Sequence, residues 1–66
     1  MYELYIFRRD GEYAITNAKN GANLPGPGWS PERTIFEADL GQYVDKSLER
    51  KKEIATNGYV LTSIRA

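Results

Sequence analysis

The run Tyr2-Glu3-Leu4-Tyr5-Ile6-Phe7-Arg8-Arg9-Asp10-Gly11-Glu12-Tyr13-Ala14-Ile15-Thr16 decides the fold. Residues 2–8 are rich in aromatic and β-branched types, which suit a pleated, half-buried surface. Asp10-Gly11 is a dipeptide that tolerates positive φ at both positions, as a two-residue type I′ hairpin turn requires. Residues 12–18 then read as the returning strand. With that turn, Arg9 faces Glu12, Arg8 faces Tyr13, Phe7 faces Ala14, Ile6 faces Ile15 and Tyr5 faces Thr16. Alternation places Leu4, Ile6, Tyr13 and Ile15 on one face of the ribbon, with Tyr2 near its edge. Tyr5, Phe7, Ala14 and Thr16 share the other face, with Arg9 and Glu12 at the turn end. Both faces carry apolar groups, whereas a sheet with one wet face alternates more cleanly.

Outward from the hairpin, residues 19–32 hold all three prolines, three of the six glycines and the only tryptophan, Trp29. They read as a long loop, of a length that is uncommon in small domains and tends to be functional. Residues 33–37 are readable two ways. Thr34, Ile35 and Phe36 favour a strand, while Ser30-Pro31-Glu32 also resembles a helix start with proline at the first helical position. We adopt the strand, because a hairpin alone makes a poor sheet.

A helix is expected over 39–56, with Asp39 as N-cap and Gln42 completing a capping box. Leu40, Tyr43, Val44, Ser47, Leu48, Lys51 and Ala55 fall on one face at the 3.6-residue period, with Ile54 at its margin. Asp45, Lys46, Glu49, Arg50, Lys52 and Glu53 face out. Asn57-Gly58 ends the helix, with Gly58 suited to a left-handed cap, and residues 59–65 read as the last strand. The expected fold class is α+β: one domain over 1–66, in β-β-β-α-β order, an antiparallel sheet with one amphipathic helix packed on one face. Nothing is left over to cover the second face.

Composition narrows the function classes. With 66 residues, the chain buries only about 60% of the surface its unfolded form exposes. Its expected radius of gyration is roughly 11 Å. It has no cysteine and no histidine. That removes disulfides, thiolate metal sites, the commonest metal ligand and the usual acid–base catalyst. No Ser-His or Cys-His nucleophile pair can be assembled. Glu37 and Asp39 read as a strand end and a helix cap rather than a catalytic pair. Gly26-Pro27-Gly28 lacks the spacing of a phosphate cradle. Catalytic residues, metal ligands and cofactors are therefore expected to be none. Nine basic residues balance nine acidic ones, so no general attraction to nucleic acid or anionic membrane is expected, and association is not opposed by net charge. Arg50-Lys51-Lys52 reads as helix-end charge complementing the macrodipole. No apolar run is long enough to span a membrane, and Met1–Tyr5 lacks the basic head and apolar stretch of a signal peptide. A cytoplasmic setting is the expectation.

These exclusions point to a non-catalytic interaction module, self-associating or modulating a larger protein. The expected partner surface is Tyr5, Phe7 and Ala14 on the free sheet face, with Leu24 and Trp29 in the loop at its rim. Phe7→Glu is then expected to abolish association while sparing the fold. The alternative is single-stranded nucleic-acid binding, with Tyr5 and Phe7 stacking bases and Arg8, Arg9 and Arg33 taking phosphates.

Overall fold

A computed structural model describes residues 2–64. The hairpin forms in the expected register. Asp10 and Gly11 take φ of 45° and 82°, the two positive values of a type I′ turn. Strand β1 (Glu3–Arg9) runs antiparallel to β2 (Glu12–Thr16), and all five expected cross-strand pairs are present, from Arg9 opposite Glu12 to Tyr5 opposite Thr16.

Residues 33–36 do form extended structure, whereas Glu37, expected at the end of this strand, already belongs to a 3-10 turn. Strand β3 begins earlier, at Ser30, and runs to Phe36. The connecting loop is accordingly 17–29 rather than 19–32. β3 lies antiparallel to the free side of β1, Leu4 opposite Ile35, with a bulge where Ile6 pairs Arg33 but Phe7 pairs Pro31. A proline lacks the ladder donor, so it is tolerated on such an edge strand. β4 (Tyr59–Thr62) pairs antiparallel with β2, and the sheet order is β3-β1-β2-β4. Arg65, the end of the expected last strand, lies outside the described residues.

The helical segment departs from the expected single helix over 39–56. A 3-10 turn, η1, covers Glu37–Gln42, and the α-helix α1 covers only Ser47–Asn57. Lys46 between them adopts left-handed φ 56° and ψ 49°. That residue breaks the axis, and Leu40 and Val44 then enter the core independently of α1, at 0% and 2% exposure. Past the break, the inward stripe is rotated by one residue. Ser47, Arg50 and Lys51 are half-buried and Ile54 is buried, whereas Leu48 is 71% exposed. Asp39 caps nothing. The residue before η1 is Phe36, without a side-chain cap, and Gln42 Nε2 donates instead to Asp39 Oδ1 at 3.5 Å. Gly58 does end α1 in the left-handed region (φ 89°), its N–H donating to the Ile54 carbonyl at 2.7 Å.

The core lies between the sheet and these helical segments. Leu4, Ile6, Ile15, Ile35 and Val60 from the strands meet Leu40, Val44 and Ile54, with Tyr13, Tyr43 and Ile64 packed around them. Burial of each such aliphatic side chain contributes roughly 1.5–3 kcal/mol. The radius of gyration of 10.5 Å matches a closely packed chain of this length.

Candidate functional site

The centre of the second sheet face is not left open. Phe7 is 5% exposed, and Ala14 and Thr16 are at 0%. The loop 17–29 crosses this face as a strap, and three sets of contacts hold it there.

The first set is polar. The Thr16 hydroxyl lies 2.7 Å from Asn23 Oδ1 and 2.8 Å from the Gly58 carbonyl, and it accepts from the Ala18 N–H at 3.1 Å. Its one proton serves one acceptor at a time. Donation to Asn23 completes a closed arrangement, because Asn23 Nδ2 in turn donates to the Gly58 carbonyl at 2.8 Å. That carbonyl also accepts from the Asn17 N–H at 3.3 Å. The strap is thereby joined to the end of β2 and to the helix cap. Gly58 is required twice over: a Cβ there would be strained by the positive φ and would collide with the Asn23 amide nitrogen.

The second set is apolar. The strap backbone at Gly21 rests directly on the Phe7 ring, where an added Cβ would meet Phe7 Cζ at 3.0 Å and Leu24 Cδ1 at 3.2 Å. Leu24 is half-buried there.

The third set is a clamp at the turn end. The Arg9 guanidinium stacks over the Trp29 ring, 4.3 Å from its centroid. Arg9 Nη1 donates to the carbonyls of Pro25 (3.1 Å) and Pro27 (3.2 Å), and Nη2 pairs with Glu12 at 3.1 Å. The Trp29 indole N–H donates to the Pro25 carbonyl at 2.9 Å. A delocalised, planar cation suits this task, since it can stack and fork at once.

The expected partner residues therefore separate. Phe7, Ala14, Leu24 and Trp29 are brought together, but as the interior of the strap rather than as a free surface. Sequence pattern showed that this face was apolar and mistook the reason: the long loop is its cover. Phe7→Glu, expected above to spare the fold, would bury an unpaired charge.

The residues invoked for nucleic acid are not assembled on one face. Phe7 is covered and Arg9 is engaged in the clamp. Arg8 alternates with Leu4 and Ile6 onto the helix side. Arg33, opposite Ile6, is there too and lies over the Tyr43 ring at 5.5 Å. Of the basic helix residues, Arg50 pairs with Glu53 at 2.9 Å.

The strap stops short of one end of the outer face. Tyr5, half-buried, stands there opposite Thr34, and Phe36, 41% exposed, stands opposite Glu3. A groove of about 290 Å³ runs between Tyr5, Thr34 and Pro31 on the strands and Lys19 on the strap. The Tyr5 hydroxyl donates to Glu3 Oε1 at 3.4 Å. Its pKa is raised from the ordinary 10.0, first by partial loss of solvent, then by the Glu3 carboxylate charge and hydrogen bond. This moves it away from neutrality, the wrong direction for a general base. Thr34, Phe36, Pro31 and Lys19 did not emerge as candidates from the sequence. Phe36 read as a strand residue, but which face and which edge it occupies depends on the pairing of β3 with β1. Asn23 and Thr16, the strap's anchors, carried no local signal.

Among the described residues there is no cluster of three or more metal-ligating side chains, and no helix is long and apolar enough to cross a membrane. Compared with protein families, characterised proteins and solved structures, the chain shows no match.

Proposed function

We propose that this domain is a non-catalytic protein-interaction module acting in the cytoplasm. Its contact surface for a protein partner is the uncovered end of the outer sheet face, Tyr5, Thr34 and Phe36, beside the groove at Lys19 and Pro31. One observation carries this reading. The strap buries Phe7 and Ala14 at the centre of the outer face to 5% and 0%, yet ends before Phe36, which stays 41% exposed next to a half-buried tyrosine and an open groove. A small domain that seals half a face and leaves aromatic groups at the other half presents the amphipathic anchors typical of protein contacts. The neutral charge balance suits apolar contact more than phosphate binding.

Site-specific photocrosslinking in the producing cells tests this. A benzophenone side chain at Phe36 is expected to yield a discrete adduct with another protein. The same group at Leu48, more exposed but on the helix, is expected to yield none. Equal adducts at both positions, or none at Phe36, would overturn the assignment.

A further inference from the structure

The two edges of the sheet are built differently. The outer edge of β3 carries Pro31, which has no N–H to offer, the charged pair Glu32 and Arg33, and a bulge. These are the devices by which proteins prevent edge-to-edge pairing. The β4 edge has none of them. Tyr59-Val60-Leu61-Thr62-Ser63-Ile64 contains no charge and no proline, and β4 pairs with β2 without a register shift.

The direction of its backbone groups follows from the hairpin. In a two-residue hairpin, the residues flanking the turn form a hydrogen-bonded pair, and such pairs alternate along the ladder. Counting from Arg9 opposite Glu12, the groups of Ala14 and Thr16 aim at β1, and those of Tyr13 and Ile15 aim at β4. Tyr13 is opposite Thr62 and Ile15 is opposite Val60. Val60 and Thr62 therefore bond inward, as does Gly58, whose carbonyl accepts from Asn17. Tyr59, Leu61 and Ser63 aim their N–H and C=O groups out of the sheet. Those of Tyr59 and Leu61 have no hydrogen-bond partner among the described residues.

We propose that this edge pairs with the same edge of a second copy, antiparallel about a two-fold axis through Leu61, joining two four-stranded sheets into one. The occupant is a second copy because the edge is self-complementary. Three outward residues at alternate positions, centred on Leu61, pair completely with themselves. Leu61 exchanges both bonds with the partner's Leu61, and Tyr59 does so with the partner's Ser63. Every group is matched, and the contact is isologous and closes on itself. Leu61, 47% exposed in one copy, meets the partner's Leu61 on the outer face. The partner's Tyr59 arrives beside Ser63, at the mouth of an open groove of about 350 Å³ lined by Tyr13, Leu61 and Ile64. The net charge of zero sets no repulsion between copies. This surface lies on the opposite edge from Phe36 and does not depend on the partner assigned to it.

Sedimentation equilibrium from micromolar to millimolar protein tests the proposal. The wild type is expected to reach twice the 7.5 kDa chain mass. Leu61→Pro removes only the outward N–H at an edge position that accepts proline. Leu61→Lys places two cations at the axis. Both are expected to weaken dimerisation at least ~10-fold, which is ~1.4 kcal/mol, while Phe36→Glu leaves it unchanged. Amide exchange of the wild type gives a readout free of any folding defect. The Tyr59, Leu61 and Ser63 amides should gain protection as concentration rises, while Val60 and Thr62 are protected throughout. A wild type monomeric at millimolar concentration would overturn the proposal. So would a dimer that survives both Leu61 variants, or a dimer in which the Leu61 amide gains no protection.

Discussion

Replacing Thr16 by valine tests the strap most directly. Valine keeps the shape and removes the hydroxyl. The Ala18 N–H loses its acceptor at 3.1 Å and Asn23 Oδ1 loses its donor at 2.7 Å. A buried polar group left unpaired costs about 1–3 kcal/mol. Ala18 is half-buried, and Asn23 is exposed although its bond to Thr16 is part-buried, so the low end applies to each, about 2 kcal/mol together at most. For a domain of this size, 1 kcal/mol shifts Tm by roughly 4–8 °C, so the expected loss is roughly 8–16 °C. Thr16→Ser is the control. It keeps the hydroxyl and removes one methyl group, at about 0.8 kcal/mol, and should lose less than half as much. Thermal unfolding followed by circular dichroism measures both. Trp29 fluorescence gives a second, local readout: its indole is clamped between Arg9 and the Pro25 carbonyl, so loosening the strap should raise its accessibility to acrylamide in the valine variant and not in the serine one. Valine and serine variants of equal stability, or a valine variant within about 0.5 kcal/mol of wild type, the ordinary range for a surface change, would refute the account of the strap as held by this hydroxyl.

Three further outcomes follow from the same geometry. Phe7→Ala should cost about 3–4 kcal/mol in urea unfolding, the usual loss for a buried phenylalanine; a loss below about 1 kcal/mol would mean that the strap does not pack on the ring. Gly58→Ala should destabilise by about 1–3 kcal/mol through its positive φ and displacement of Asn23. In a double-mutant cycle with Asn23→Ala the two losses should be less than additive, because the smaller side chain relieves the collision. Leu48→Lys should change stability by no more than about 0.5 kcal/mol, since Leu48 is 71% exposed; a large loss would restore Leu48 to the core face that its spacing in the sequence suggested.

The departures from the sequence reading have identifiable causes. The helix register went astray at Lys46. Periodicity over 40–55 assumes one unbroken axis, and a single left-handed residue rotates everything after it, so Ile54 replaced Leu48 as the inward residue. A lysine at positive φ has no sequence signature of the kind glycine provides. The uncovered-face expectation failed for another reason. Proline and glycine content identified 19–32 as loop, but composition does not say whether a loop crosses a face or swings clear of it. Arg9 and Trp29 each stand out in the sequence, as a phosphate ligand and a rim anchor, but two positions twenty residues apart carry no sign of their contact with each other.

What could be read from the chain alone was local: the Asp10-Gly11 turn with the register it imposes on β1 and β2, the strand preference of Thr34, Ile35 and Phe36, and the left-handed stop at Gly58. In each case a few adjacent residues restrict their own backbone angles, and that restriction needs no partner. Tertiary structure alone decided the strand order, the break at Lys46, the burial of Phe7 beneath the strap and the exposure of the β4 edge. Each of these depends on groups far apart in the chain, as when Thr16, Asn23 and Gly58 meet at one carbonyl, and contacts of that kind are set by how the elements pack together rather than by the preferences of any one segment.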